Sequence, residues 1–323
     1  MLPRQRAVRY PGSFLHSREI TTSGHFEILQ IAVSCIRINL IKGSQTRSTS
    51  PTQSFLAMRV LSFLALLLPF ASEAKLLLSY DAAAGDAASV LGRQDLEGWG
   101  GTKWPSGQGQ NASAFFTTAK DPNGVPAAHV HKDAHFARSE YHMLVGQTAA
   151  SQTYYIGYHV SFGAGADYES CPIVFQWKNY NSDTVDTDNI PALLVFRQGS
   201  TADQYIIDFA AEADPTADQN ISQKTLWTKE LTHGTAYRFG IVINTSPTAG
   251  YVQLYFNGRL STMISPSTGE HTTKYAGNFW PGETEPKVGL YGGQATNACD
   301  SYVYGVAIGT TLADIADVAG IST

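Results

Sequence analysis

From residue 75 onward the chain is a succession of short strand-like runs divided by turn residues, with no long stretch at helical period. That rhythm confines it to an all-β fold, a sandwich or a barrel. The runs are 75–80, 127–130, 134–144, 153–162, 173–177, 192–197, 205–209, 237–244, 252–256, 287–292 and 301–308. Turn clusters such as Asp121-Pro-Asn-Gly and Gly163-Ala-Gly-Ala-Asp separate them. Asn257-Gly258 directly after 252–256 predicts a type I′ hairpin, because both turn positions need positive φ. No repeat of fixed period is present, which disfavours a propeller. Residues 311–321 read as a short C-terminal helix.

Charge is unevenly spread. The 323 residues carry 22 Lys+Arg and 27 Asp+Glu, yet residues 1–74 hold 8 of the bases and only 3 of the acids. The remaining 249 residues therefore have a net charge of −10. So acidic a body excludes non-specific nucleic-acid binding, which requires a basic surface.

The boundary between the two parts has its own pattern. Met58-Arg59, an apolar run over 60–70 and then Ala71-Ser72-Glu73-Ala74 form a basic start, a compact hydrophobic region and a small-x-small cleavage site. The apolar run is about a dozen residues, shorter than the roughly 20 of a membrane span, so secretion is expected rather than anchoring. On this reading residues 1–57 are an upstream leader, an artefact of gene prediction or a disordered segment. Residues 58–74 are the signal peptide, and 75–323 form one extracellular domain, expected as a monomer. Only Cys171 and Cys299 remain in that domain, and an oxidising route lets them pair. Asn111-Ala-Ser, Asn220-Ile-Ser and Asn244-Thr-Ser are glycosylation acceptor sequences consistent with that route.

Three segments place ionisable or amide groups on alternate positions of predicted strands. In Arg138-Ser-Glu-Tyr-His142, the side chains of Arg138, Glu140 and His142 share a face, about 6–7 Å apart. In Phe175-Gln-Trp-Lys178, Gln176 and Lys178 share one. In Lys287-Val-Gly-Leu-Tyr291, Lys287 and Tyr291 do. Each alone has an ordinary reading: a surface ion pair worth little, a structural histidine, a packed strand tyrosine. Together they can line a groove on the outer face of a sandwich.

These strings resemble those of jelly-roll alginate lyases. Arg138-Ser-Glu-Tyr-His142 is similar to their Arg-Ser/Thr-Glu-Leu-Arg strand, Lys287-Val-Gly-Leu-Tyr291 to their Lys-Ala-Gly-x-Tyr strand, and Gln176-Trp-Lys178 to their Gln-Ile/Val-His strand. There are departures. His142 stands where those enzymes have Arg, Lys178 where they have His, and Gly293 where a Gln follows the Tyr. With the signal peptide and layout, the chain most resembles the fungal glucuronan lyases of polysaccharide lyase family twenty. That resemblance implies a β-jelly-roll sandwich of two antiparallel sheets. It also implies endolytic cleavage of β-1,4-linked polyglucuronate by β-elimination.

The residue types suit that chemistry. Removing the C5 proton of a uronate builds charge on its carboxylate, for which Arg138 and Gln176 are the expected donors. In a β-D-glucuronate H5 and O4 lie on the same side of the ring, so the elimination is syn and one group can serve as base and acid. Tyr291 is expected as the acid, and either Tyr291 or His142 as the base, with Lys287 and Arg138 lowering the phenol from its usual value near 10. Lys178, Lys287 and Glu140 are expected to bind neighbouring sugars or to orient the catalytic groups, in a groove that focuses positive potential. No cofactor is expected for catalysis. His129 and His131 read as half a metal site with no third ligand in view, so zinc is not expected. A structural calcium at Asp300 with Asp81, or with Asp86, is expected by analogy with other jelly rolls.

Three other functions fit the same fold. A retaining hydrolase would present Glu-x-Asp-x-x-Glu, and the closest string, Glu212-Ala-Asp214, ends in Pro215, which cannot sit in a central strand. A non-catalytic sugar-binding protein would use Trp177, Trp227 or Trp280 as stacking platforms. An alginate lyase differs only in its uronate.

Overall fold

The computed structural model describes residues 75–98, 115–134, 136–163, 165–179, 190–212, 223–292 and 297–322. The expected leader and signal peptide, and the sequons at Asn111 and Asn220, lie outside these.

The strands in chain order are β1 (Leu76–Asp81), β2 (Arg93–Gly98), β3 (Phe116–Lys120), β4 (Pro126–Lys132), β5 (Phe136–His142), β6 (Thr153–Phe162), β7 (Ile173–Asn179), β8 (Ala192–Gln198) and β9 (Gln204–Ala211). There follow β10 (Lys224–Thr232), β11 (Tyr237–Asn244), β12 (Tyr251–Phe256), β13 (Arg259–Leu260), β14 (Met263–Ile264), β15 (His271–Thr272), β16 (Tyr275–Ala276), β17 (Thr284–Tyr291) and β18 (Cys299–Gly309). One antiparallel sheet runs β13-β12-β11-β6-β18-β4-β3, with β1 also on β18 and β16 on β12. The other runs β10-β9-β8-β7-β17-β5-β2. Their inward faces fill one core, and the architecture is the expected β-jelly-roll sandwich.

Period-2 alternation produces that core. Phe175 and Trp177 of β7, Val288 and Leu290 of β17, and Tyr158 and Val160 of β6 are wholly buried. Each large apolar side chain so buried contributes roughly 1.5–3 kcal/mol. Trp177 is one of them, and its Nε1–H donates to the carbonyl of Phe279 at 2.8 Å. Trp227 and Trp280 pack partly buried against the same core. The tryptophans considered as sugar platforms are thus core residues or lean on the core.

Asn257 and Gly258 have φ of 46° and 78°, the expected type I′ turn between β12 and β13. The C-terminal helix is shorter than expected, Ala316–Ala319 after a single 3-10 turn, Ala313–Ile315. Asn244 ends β11 with its amide engaged. Its Nδ2 donates to Thr153 Oγ1 at 2.8 Å and its Oδ1 accepts from the Ser246 amide at 3.0 Å. Cys171, just before β7, is bonded to Cys299 at the start of β18, so the expected disulfide joins the two sheets. Among the described residues no helix is long and apolar enough to cross a membrane.

Candidate functional site

The three segments singled out in the sequence are neighbours. β17 lies between β5 and β7, and its register sets Tyr291 opposite Arg138, and Lys287 opposite His142 on one side and Gln176 on the other. Glu285 stands opposite Lys178. The expected convergence on one sheet face therefore occurs.

A fourth strand joins them that the sequence reading missed. β2 pairs with β5 and sets Arg93 opposite His142, Asp95 opposite Glu140 and Glu97 opposite Arg138. The signal was available, since Arg93-Gln-Asp-Leu-Glu97 alternates charged and other residues as the three chosen segments do. Its single apolar residue, Leu96, hid it from a search for hydrophobic runs. Glu285, one alternation before Lys287, was passed over for the same reason.

Arg138 Nε lies 2.6 Å from Glu97 Oε2, and Nη1 is 3.7 Å from both Asp95 Oδ2 and Glu140 Oε2. Lys287 Nζ donates to Asp95 and lies 3.8 Å from Glu140. Gln176 Nε2 donates to Glu140 across the intervening strand β17, on which Gly289 stands opposite Glu140. Burial alone would raise the Asp95 carboxyl, but Lys287, and then Arg138 and Arg93, hold it below the usual carboxylate range. Four cations (Arg93, Arg138, Lys178, Lys287) face four carboxylates (Asp95, Glu97, Glu140, Glu285). The patch is balanced rather than basic, which corrects the expectation of a positively focused groove. The acids of β2 and Glu285 are the reason.

Burial divides these residues into two layers. Glu140, Gln176 and Lys287 are wholly buried, and His142, Glu285 and Lys178 nearly so. Toward solvent stand Tyr291, half-buried, with Arg138, Asp95 and Glu97 beside it. The Arg138 guanidinium carbon sits 4.4 Å from the Tyr291 ring centroid, a cation–π contact. On its other flank Tyr291 packs with Ile173 and Val195 against a small apolar cluster. Of the seven residues chosen from sequence, Tyr291 and Arg138 keep some surface toward solvent, while the other five are buried.

His142 has a fixed protonation pattern. Arg93 Nη2 lies 2.7 Å from Nδ1, and an arginine can only donate, so Nδ1 is the acceptor. The remaining proton is on Nε2 and is donated to Glu285. Hydrogen bonds from His142 and the Gly146 amide outweigh burial and hold the Glu285 carboxyl below its usual range. Both ring nitrogens of His142 are thus committed to protein partners.

The residues chosen for calcium do not meet. Asp81 stands opposite Gly305 on β18, five positions along the strand from Asp300, about 16 Å away at strand rise. Its Oδ1 accepts from the Ala83 amide, and Asp86 caps the Asp81 amide. Asp300 is instead held by two histidines, with His129 Nε2 and His131 Nδ1 at 2.7 and 2.8 Å from its Oδ1.

No known protein family matches this chain, and neither does any curated protein. Solved structures do resemble it at low identity. A variant of alginate lyase A1-II′ is 17% identical, with a TM-score of 0.43 over 71% of this chain and 99% of its own. An alginate lyase of Pseudomonas aeruginosa is 14% identical, with a TM-score of 0.40 over 61% and 86%. A botulinum neurotoxin type C structure is 8% identical, with a TM-score of 0.38 over 75% and 49%.

Proposed function

We propose that this chain is a secreted polysaccharide lyase that cleaves β-1,4-linked polyglucuronate within the chain. The observation that supports it is the pair at the solvent side of the site: the phenol of Tyr291 with the guanidinium of Arg138 stacked 4.4 Å from its ring. Arg138 binds the carboxylate of the bound uronate, where charge accumulates as the C5 proton leaves. Tyr291 takes that proton as a phenolate. The C5–H pair forms the C4–C5 double bond, the C4–O4 bond breaks, and the same oxygen returns the proton to O4. His142, Glu285 and Arg93 act from beneath, as a rigid hydrogen-bonded layer that fixes β5 and β17 in register.

The test measures ultraviolet absorbance of the unsaturated uronate on polyglucuronate, alginate and a neutral glucan side by side. Absorbance on polyglucuronate that Tyr291→Phe abolishes, in a variant with wild-type melting, is the expected result. Full activity in Tyr291→Phe would refute the role of the phenol. Absorbance on alginate alone would move the substrate to that uronate.

One observation favours a second reading. Asp95 and Glu97 lie two residues apart on β2, about 6–7 Å along the strand, within the spacing a glycoside hydrolase uses between its two carboxyl groups. New reducing ends from neutral glucan without ultraviolet absorbance would establish that reading and exclude elimination.

A further inference from the structure

On the outer face of the other sheet, away from the residues just described, three metal-ligating side chains converge. His129 and His131 alternate along β4, with Ala128 and Val130 turned into the core. Asp300 stands opposite His131, and Tyr302 opposite His129, on the neighbouring strand β18. The ligand atoms of His129, His131 and Asp300 all lie within 4.8 Å of one another. The third ligand absent from any local reading of the sequence is supplied by a strand some 170 residues away.

We propose that His129, His131 and Asp300 form a binding site for a divalent transition-metal cation of the zinc class. The donor set argues for that class, because two imidazole nitrogens and one carboxylate suit zinc and its neighbours, whereas calcium and magnesium demand oxygen. The geometry is close to what an ion needs. Ligand atoms about 2.0–2.1 Å from a tetrahedral ion stand roughly 3.3 Å from each other. Here the two nitrogens lie 2.7 and 2.8 Å from Asp300 Oδ1, so each has to open by about half an ångström. Access is available, since the three side chains keep 24, 29 and 35% of their surface exposed. Three protein ligands also leave a coordination position for water.

The surroundings hold the ligands in place. The His129 ring stacks on Tyr302, with centroids 4.8 Å apart and planes at 10°. Thr117 Oγ1, on β3, is 3.5 Å from Nδ1 of His129, the nitrogen turned away from the site. Asp300 directly follows Cys299, whose disulfide ties this end of β18 to the opposite sheet. A site on two paired strands is better preorganised than one on loops.

The test is isothermal titration of the full chain, stripped with a chelator, against Zn²⁺, Co²⁺ and Ca²⁺ in separate runs, with the visible spectrum of the Co²⁺ form as a second readout. One equivalent of Zn²⁺ is expected, with a cobalt spectrum of low coordination number. Affinity should fall at least tenfold in His131→Ala and in Asp300→Asn, while Glu230→Gln, on the far edge strand β10, leaves it unchanged. Wild-type chain that takes up no Zn²⁺, takes up only Ca²⁺, or binds Zn²⁺ as well after both His131→Ala and Asp300→Asn would overturn the assignment. The wild-type arm decides the question even if a variant does not fold.

Discussion

Glu140→Gln isolates the charge at the centre of the sheet face without changing its shape. The Glu140 carboxylate is wholly buried, with Oε2 at 3.7 Å from Arg138 and 3.8 Å from Lys287. At an effective dielectric of about 20 each attraction is worth about 4 kcal/mol, set against several kcal/mol for taking the carboxylate out of water. The replacement amide keeps an oxygen for the Gln176 Nε2–H, so that hydrogen bond survives. Its nitrogen becomes a donor facing two cations. The expected loss is about 3–5 kcal/mol, the range for a buried pair broken on one side. In a domain of about 250 residues that lowers Tm by roughly 10 °C. Chemical denaturation measures it, with the double variant Glu140→Gln/Lys287→Met closing a cycle. The double should be more stable than the sum of its singles by about 1–3 kcal/mol. A Glu140→Gln protein within about 1 kcal/mol of wild type would refute the reasoning, since the carboxylate would then not be the counter-ion of a dry site.

Two further outcomes follow from features elsewhere. Reducing Cys171–Cys299 frees a span of 128 residues, and chain-entropy arithmetic sets the loss near 5 kcal/mol, seen as a lower denaturation midpoint under reductant. Lys132 is wholly buried with Nζ donating to the Phe136 carbonyl at 2.9 Å, and burial pushes its pKa down to about 8. Below that value both folded and unfolded chains hold the proton and the buried ammonium costs roughly 3 kcal/mol; between about 8 and 10.5 only the unfolded chain holds it, so stability rises with pH. Lys132→Met should therefore stabilise at pH 7, with the gain shrinking toward pH 10; a gain independent of pH would mean the ammonium carries no such penalty.

The hydrophobic runs were legible because alternation is local: 153–162, 173–177, 237–244 and 252–256 fall inside the observed strands. So was the sharing of a face by Arg138, Glu140 and His142, which depends on period alone. β2 and β10 were not, because most of their residues face solvent or charge rather than core, and an apolar pattern never forms. Burial of the polar face was equally hidden. Lys287 can be dry because Asp95, in a strand 192 residues earlier, and Glu140 neutralise it, and no local window contains it with either. His129 and His131 looked incomplete for the same reason, with Asp300 distant in sequence and adjacent in space.

Gly289 shows how closely β5 and β17 approach. Its φ is +143°, and a Cβ placed there would come within 2.4 Å of the Ser139 carbonyl oxygen.

The position of β2 has a consequence of its own. It closes one end of the seven-stranded sheet, held by β5 alone, yet it contributes Arg93, Asp95 and Glu97. Two acids and one base thus reach the site from its margin. Exchanging Glu97 for a neutral residue would turn the face cationic by one charge, while Asp95 stays paired with Lys287 and the ladders among β5, β17 and β7 stay untouched. Selection can therefore retune the charge of this face by editing a selvedge, leaving the weave that carries Tyr291 and Arg138 as it is.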